Sequence, residues 1–91
     1  MTDDNGLLAR ARALDARALA AIHERFYPGL YRYLLYRTSD ERLAEDLSSE
    51  VFMRLLDNLH IGKSPDSLQA WLFGVAAHLV ADHSTPRAGW G

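Results

Sequence analysis

Apolar residues recur at three- and four-residue spacing through most of the chain. Leu8, Ala11, Leu14, Ala18, Ile22 and Phe26 form one series and Leu30 and Leu34 a short second one. Leu43, Ala44, Leu47, Val51, Phe52, Leu55, Leu56 and Leu59 form a third, and Leu68, Trp71, Leu72, Val75, Ala76 and Leu79 a fourth. This period turns one side of a helix toward a core. It predicts a long first helix from Leu7, with Arg10, Arg17 and Glu24 on its far side and His23 solvated at the polar edge. Pro28-Gly29 should break or kink it, since proline lacks the amide hydrogen and disfavours helical geometry at Tyr27. A short helix over Leu30 to Arg37 follows, with Tyr31 and Leu35 beside its inward pair. Thr38 and Glu41 read as a capping box for the third helix, with Ser39 and Asp40 as alternative caps. That helix runs to Leu59 or His60, and Gly62 stops it. After the loop HIGKSPDS, Ser64 and Pro65 read as cap and first turn of the last helix, which ends near Asp82. The expected fold is all-α, a compact bundle of three long helices plus one short helix, with no sheet. Its body spans 7–83, with a disordered tail over 1–6 and a tail or the start of a linker over 84–91.

The 91 residues, 48% of them hydrophobic, suit one small domain. Without cysteine there is neither a disulfide framework nor a thiolate metal site, and a reducing cytoplasm is the expected location. The acidic start MTDDNG and the lack of a long apolar run point to no export signal and no membrane span. The net charge of −2 is unevenly spread: residues 1–37 carry six arginines against four acids, whereas 38–59 carry two against six. Phosphate neutralisation needs clustered cations, so DNA binding by this domain alone should be weak.

Candidate chemistry concentrates on the third helix. Opposite its apolar arc lie Arg42, Asp46, Ser49, Glu50, Met53, Arg54 and Asp57. A thioether among carboxylates has no core to fill from that side, which makes Met53 a contact candidate. Asp46 and Glu50, one turn apart, mark a basic partner rather than acid–base catalysis. The four tyrosines between 27 and 36, interleaved with Arg32 and Arg37, read as ring packing on a small core, with a base-stacking platform as the other possibility. His78 and Asp82 are two potential metal ligands without a third. No nucleophile–base set or phosphate loop is present, so neither an enzyme nor a cofactor is implied.

Three runs carry a resemblance. Leu43-Ala44-Glu45-Asp46-Leu47-Ser48-Ser49-Glu50-Val51-Phe52 resembles the A-E-D-L-x-Q-E-x-F segment of extracytoplasmic-function (ECF) sigma factors, in the second conserved region of the sigma-70 family. Phe26-Tyr27-Pro28-Gly29-Leu30-Tyr31-Arg32-Tyr33 is similar to that family's Y-x-P-x-L-x-R-Y, and Ala70-Trp71-Leu72-Phe73-Gly74-Val75-Ala76 to its A-W-L-F-x-I-A. Together they cover residues 18 to 83 in the family's order. The resemblance implies a domain that binds core RNA polymerase and recognises and melts the promoter −10 element. On that reading Asp46, Ser49, Glu50, Met53, Arg54 and Asp57 dock on the polymerase clamp helices. Lys63, Ser64 and Ser67 of the loop, with Gln69, Trp71 and His78 of the last helix, face promoter DNA, where the loop helps capture a flipped base.

The chain also departs from the family. Ser49 stands where glutamine is usual, which shortens the reach toward polymerase. Ala77-His78 replaces Arg-Asn, and the arginine run past His83 shrinks to Arg87. The far side of the last helix instead gathers Ala70, Gly74, Ala77 and Ala81, flanked by Phe73, Val80 and His78. That small apolar face suits the family's second, −35-reading domain or an anti-sigma factor. The second domain is expected to be missing, through excision or in a natural short form. The rival reading is a helical protein–protein module with the sigma fold that has lost DNA binding and works through an anti-sigma factor or homodimerisation.

Overall fold

The computed structural model describes residues 11, 15–63 and 65–84. Three helices fill them, α1 (Ala16–Thr38), α2 (Glu41–His60) and α3 (Leu68–Ser84), and the described residues contain no strand. Each helix packs on the other two. The core takes Ala18, Ile22, Phe26, Leu30 and Leu34 from α1, with Ala44, Leu47, Val51, Leu55 and Leu59 from α2. From α3 come Leu68, Leu72, Ala76, Leu79 and Val80. Burial of a leucine or isoleucine side chain is worth about 1.5–3 kcal/mol, so this apolar seam, rather than helix propensity, sets the bundle.

The expected break at Pro28 does not occur. Pro28 lies inside a helix of 23 residues. The buried positions 18, 22, 26, 30 and 34 continue across it without a change of phase, so packing on both sides outweighs one lost backbone bond. The predicted short helix is therefore the C-terminal part of α1. The interruption falls earlier: Asp15 is extended (φ −70°, ψ 117°), and its carboxylate accepts from the Arg17 amide at 2.9 Å. Ala11, upstream of that cap, is helical and fully buried in the same core. The expected tails over 1–6 and 85–91, along with Leu7, Leu8, Arg10 and Leu14, lie outside the described residues.

The α1–α2 corner also differs from the predicted capping box. Thr38 is the last residue of α1, and its hydroxyl donates to the Leu34 carbonyl at 2.8 Å. Ser39 takes a left-handed conformation (φ 56°), and the Asp40 carboxylate caps α2 by accepting from the Leu43 amide at 3.1 Å. Asp40 was one of the alternatives open in the sequence, and its shorter side chain reaches the third amide directly.

Helix α2 ends in a Schellman motif. The Lys63 amide donates to the Asn58 carbonyl at 2.9 Å and the Gly62 amide to the Leu59 carbonyl at 3.1 Å, around Gly62 at φ 83°. Helix α3 begins at Leu68 with Ser67 as its cap, the Ser67 hydroxyl oxygen accepting from the Ala70 amide at 3.3 Å. Pro65 thus precedes the helix, and Ser64 lies outside the described residues.

Candidate functional site

Because positions 44, 47, 51, 55 and 59 bury one side of α2, the helical period turns Arg42, Asp46, Ser49, Glu50, Met53, Arg54 and Asp57 outward, and all seven are exposed. Met53 is 56% exposed, one of the largest apolar surfaces the protein shows to water. Ser48, between these arcs, is fully buried and donates to the Ala44 carbonyl at 2.7 Å, which satisfies its hydroxyl inside the core. Arg54 Nε donates to Glu50 Oε2 at 3.1 Å, so part of the acidic field is locally answered. Even so, α2 carries five acids against two arginines, and α1 four arginines against one glutamate.

Beside this arc runs a groove of about 360 Å³ that joins Leu43, Asp46, Leu47, Glu50 and Arg54 of α2 to Leu79, Asp82 and His83 of α3. Its floor is leucine and its walls carry carboxylates. Such a groove can seat an apolar side chain while its rim meets cations. The α3 contribution was not legible in the sequence, because it depends on how the two helices cross.

The residues predicted to face DNA do not form one surface. Lys63 and Ser67 are exposed on the loop, and Gln69 is exposed in the first turn of α3. At about 100° per residue, Trp71 and His78 share a side of α3 that lies roughly half a turn from Gln69. Trp71 is half-buried against the core, and His78 Nε2 lies 3.8 Å from Asp82 Oδ2 on the surface. Among the described residues no three His, Cys, Asp or Glu side chains gather as a metal site.

Ala70, Gly74 and Ala81 are exposed and Ala77 is half-buried, all on the side of α3 away from the core. A Cβ built on Gly74 would meet nothing. Val80, placed on this face by the sequence pattern, belongs instead to the core at 1% exposure, because the α1 side of α3 is packed as well.

The tyrosines divide between two flanks of α1. On the α2 side Tyr27 and Tyr31 stack at 6.1 Å, and His23 packs on Tyr27 at 4.9 Å and on Phe52 at 4.6 Å. His23 is thus exposed yet also one wall of a small cavity, about 100 Å³, lined by Leu19, Phe52, Leu55 and Leu56. Partial burial, and then the carboxylates of Glu41 and Glu45, push the Tyr31 phenol above its ordinary range. On the α3 side Tyr33 meets Phe73 edge-on at 5.8 Å, and Arg37 lies over the Tyr33 ring at 5.7 Å while donating to its hydroxyl at 2.8 Å.

No described helix is long and apolar enough to cross a membrane. Residues 22–88 match the family described as Sigma-70 region 2. The chain is 37% identical over 81 residues to the ECF RNA polymerase sigma factor BldN of Streptomyces coelicolor, an overlap of 85% of this chain and 30% of that protein. It is 37% identical over 62 residues to the ECF RNA polymerase sigma factor SigM of Bacillus subtilis, covering 68% of this chain and 37% of the relative. To the ECF RNA polymerase sigma factor SigC of Mycobacterium tuberculosis it is 32% identical over 85 residues, or 90% and 45% of the two chains. The chain therefore spans less than half the length of these curated relatives. No solved structure gives a significant match.

Proposed function

Because the chain belongs to the sigma-70 region 2 family, of the ECF type, we propose that it binds core RNA polymerase in the cytoplasm and helps recognise and open the promoter −10 element. The observation that carries this reading is the outer arc of α2, where Asp46, Ser49, Glu50, Met53, Arg54 and Asp57 are all exposed along one helix. The clamp helices of polymerase are the partner for that arc. Its carboxylates steer a basic surface into register, and Met53 supplies an adaptable apolar contact. The leucine-floored groove beside Asp46 and Glu50 extends the contact to Leu79 of α3.

In this reading Lys63, Ser64 and Ser67 hold the loop against the non-template strand while Gln69, Trp71 and His78 flank it. Extrusion of a base costs a few kcal/mol, which stacking on an indole helps to offset. Helix α3 has neither lysine nor arginine, so few phosphates are neutralised and affinity for DNA without polymerase is low.

Capture of core polymerase by tagged protein tests the docking face. Asp46→Arg and Glu50→Arg together should abolish capture without unfolding the bundle, since both side chains are exposed. Undiminished capture would remove the proposal.

A second reading has its own observation: the outer face of α3 is small, apolar and open at Ala70, Gly74, Ala77 and Ala81. It suits a chain that keeps the fold but meets an anti-sigma factor, a second sigma domain or another copy rather than DNA. Fluorescence anisotropy with single-stranded −10 oligonucleotides separates the two, because absence of binding at low salt, where phosphate contacts are strongest, favours this alternative.

A further inference from the structure

Charge and aromatic side chains are distributed unequally between the two flanks of α1. The α2 flank meets the carboxylates of Glu41 and Glu45 at Tyr31. The α3 flank carries Arg25, Gly29, Tyr33 and Arg37 at four-residue spacing, with Arg32 and Tyr36 next to them on the outer side. Glu24 is the one acid of α1 and lies two turns before Arg32, while Asp82, the one acid of α3, lines the groove on the α2 side. This flank therefore presents arginines with no carboxylate opposite them on α3.

Its aromatic content is equally specific. Gly29 lets the Phe73 ring approach the α1 backbone, since a Cβ there would already stand 3.6 Å from Phe73 Cζ. Phe73 holds Tyr33 edge-on, and Arg37 is fixed over Tyr33 by its bond to the hydroxyl. Tyr36, by contrast, is 83% exposed, and neither it nor Arg32 has a side-chain partner among the described residues. An isolated core explains Tyr33 and Phe73. It does not explain an unpartnered arginine and an unpartnered phenol ring one turn apart beside them.

We propose that the α1–α3 face built from Arg32, Tyr33, Tyr36, Arg37 and Phe73 is a platform for single-stranded nucleic acid, with Tyr36 stacking on a base and Arg32 and Arg37 meeting phosphates. Rings at this spacing accept any base, and guanidinium groups track the backbone, which is the recognition mode of sequence-tolerant single-strand binders. The small side chains of Ala70 and Gly74 next to Phe73 leave room for a strand to lie close. The platform rests on the reading of this chain as a promoter-binding domain, and it lies apart from Lys63 and from the side of α3 that carries Trp71 and His78.

The test is fluorescence anisotropy of the 91-residue chain with fluorescein-labelled oligo-dT of about 12 nucleotides at low salt. Tyr36→Ala and Arg32→Ala should each weaken binding about tenfold. Arg32→Ala should also lower the slope of log affinity against log salt by roughly 0.7, the loss of one phosphate contact. Both side chains are exposed, so thermal unfolding should be unchanged and a loss of binding will not reflect a loss of fold. Lys63→Ala and Trp71→Ala report on the loop separately. If these two abolish binding and Tyr36→Ala and Arg32→Ala do not, the platform is wrong and the loop reading stands. Failure of the unaltered chain to bind oligo-dT at all overturns the platform while leaving polymerase capture to judge the docking face. Equal competition by polyglutamate would assign the arginines to an acidic protein surface and likewise overturn it.

Discussion

Arg54 and Glu50 face each other one turn apart on α2, with Nε and Oε2 at 3.1 Å and the two side chains 46% and 48% exposed. At that exposure an i,i+4 pair contributes about 0.3–0.5 kcal/mol. Arg54→Ala should therefore move the urea midpoint only slightly. Its effect on a basic partner has the opposite sign, because removal of the cation leaves Glu50 unscreened: capture of polymerase should hold or rise with Arg54→Ala and fall with Glu50→Ala. Equal losses in both variants would contradict a cationic partner for this arc.

Pro28 sits within α1 without breaking it. Proline has no amide hydrogen to give the carbonyl four residues back, and an interior proline costs about 3 kcal/mol relative to alanine. Part of that cost is offset by the stiffer unfolded chain. Pro28 is exposed, so alanine restores the backbone bond without opening a cavity. Pro28→Ala is expected to raise unfolding free energy by about 1–3 kcal/mol, measured by urea denaturation. A lower midpoint would mean that the proline geometry is itself part of the packing.

Much of the bundle was legible because its information is local. The apolar period places Leu47, Val51 and Leu55 inward and Asp46, Glu50 and Met53 outward whatever the neighbouring helices do. Three features were not local. Pro28 is a strong breaker in isolation, but Phe26 and Leu30 on either side are held by the core. Asp15 interrupts the helical pattern although the apolar series runs through it, since capping competes with periodicity only in the folded context. Ser48 reads as polar and is buried, because its hydroxyl finds the Ala44 carbonyl inside its own helix. The same limit applies to the groove and to the two flanks of α1: composition lists their residues, and only the helix crossings decide which of them meet.

Tyr31 gives the protein an alkaline signature. Partial burial chiefly, then Glu41, Glu45 and Tyr27, raise its phenol above the model value of 10.0. The unfolded chain therefore releases this proton first as pH climbs. Stability from this group is complete below the unfolded value and declines as pH rises through the folded one. Tyr31→Phe should flatten that decline in denaturation series between about pH 9 and 11, and an unchanged slope would assign the alkaline loss to other groups.

Gly62 controls how the chain leaves α2. At φ 83° it occupies the left-handed region, while the amides of Gly62 and Lys63 close onto Leu59 and Asn58. A Cβ there meets open space, so the cost of a side chain is conformational rather than steric against neighbours. Gly62→Ala should then lower stability by about 1 kcal/mol, and Gly62→Asn by less, because asparagine tolerates this region. The Lys63 amide makes the outer bond of the motif, so loosening it also frees the one cation of the loop. Oligonucleotide affinity of Gly62→Ala should fall no further than that of Lys63→Ala, since the loop can lose no more than its single charge. A larger loss would mean that the loop backbone, rather than the lysine side chain, touches DNA.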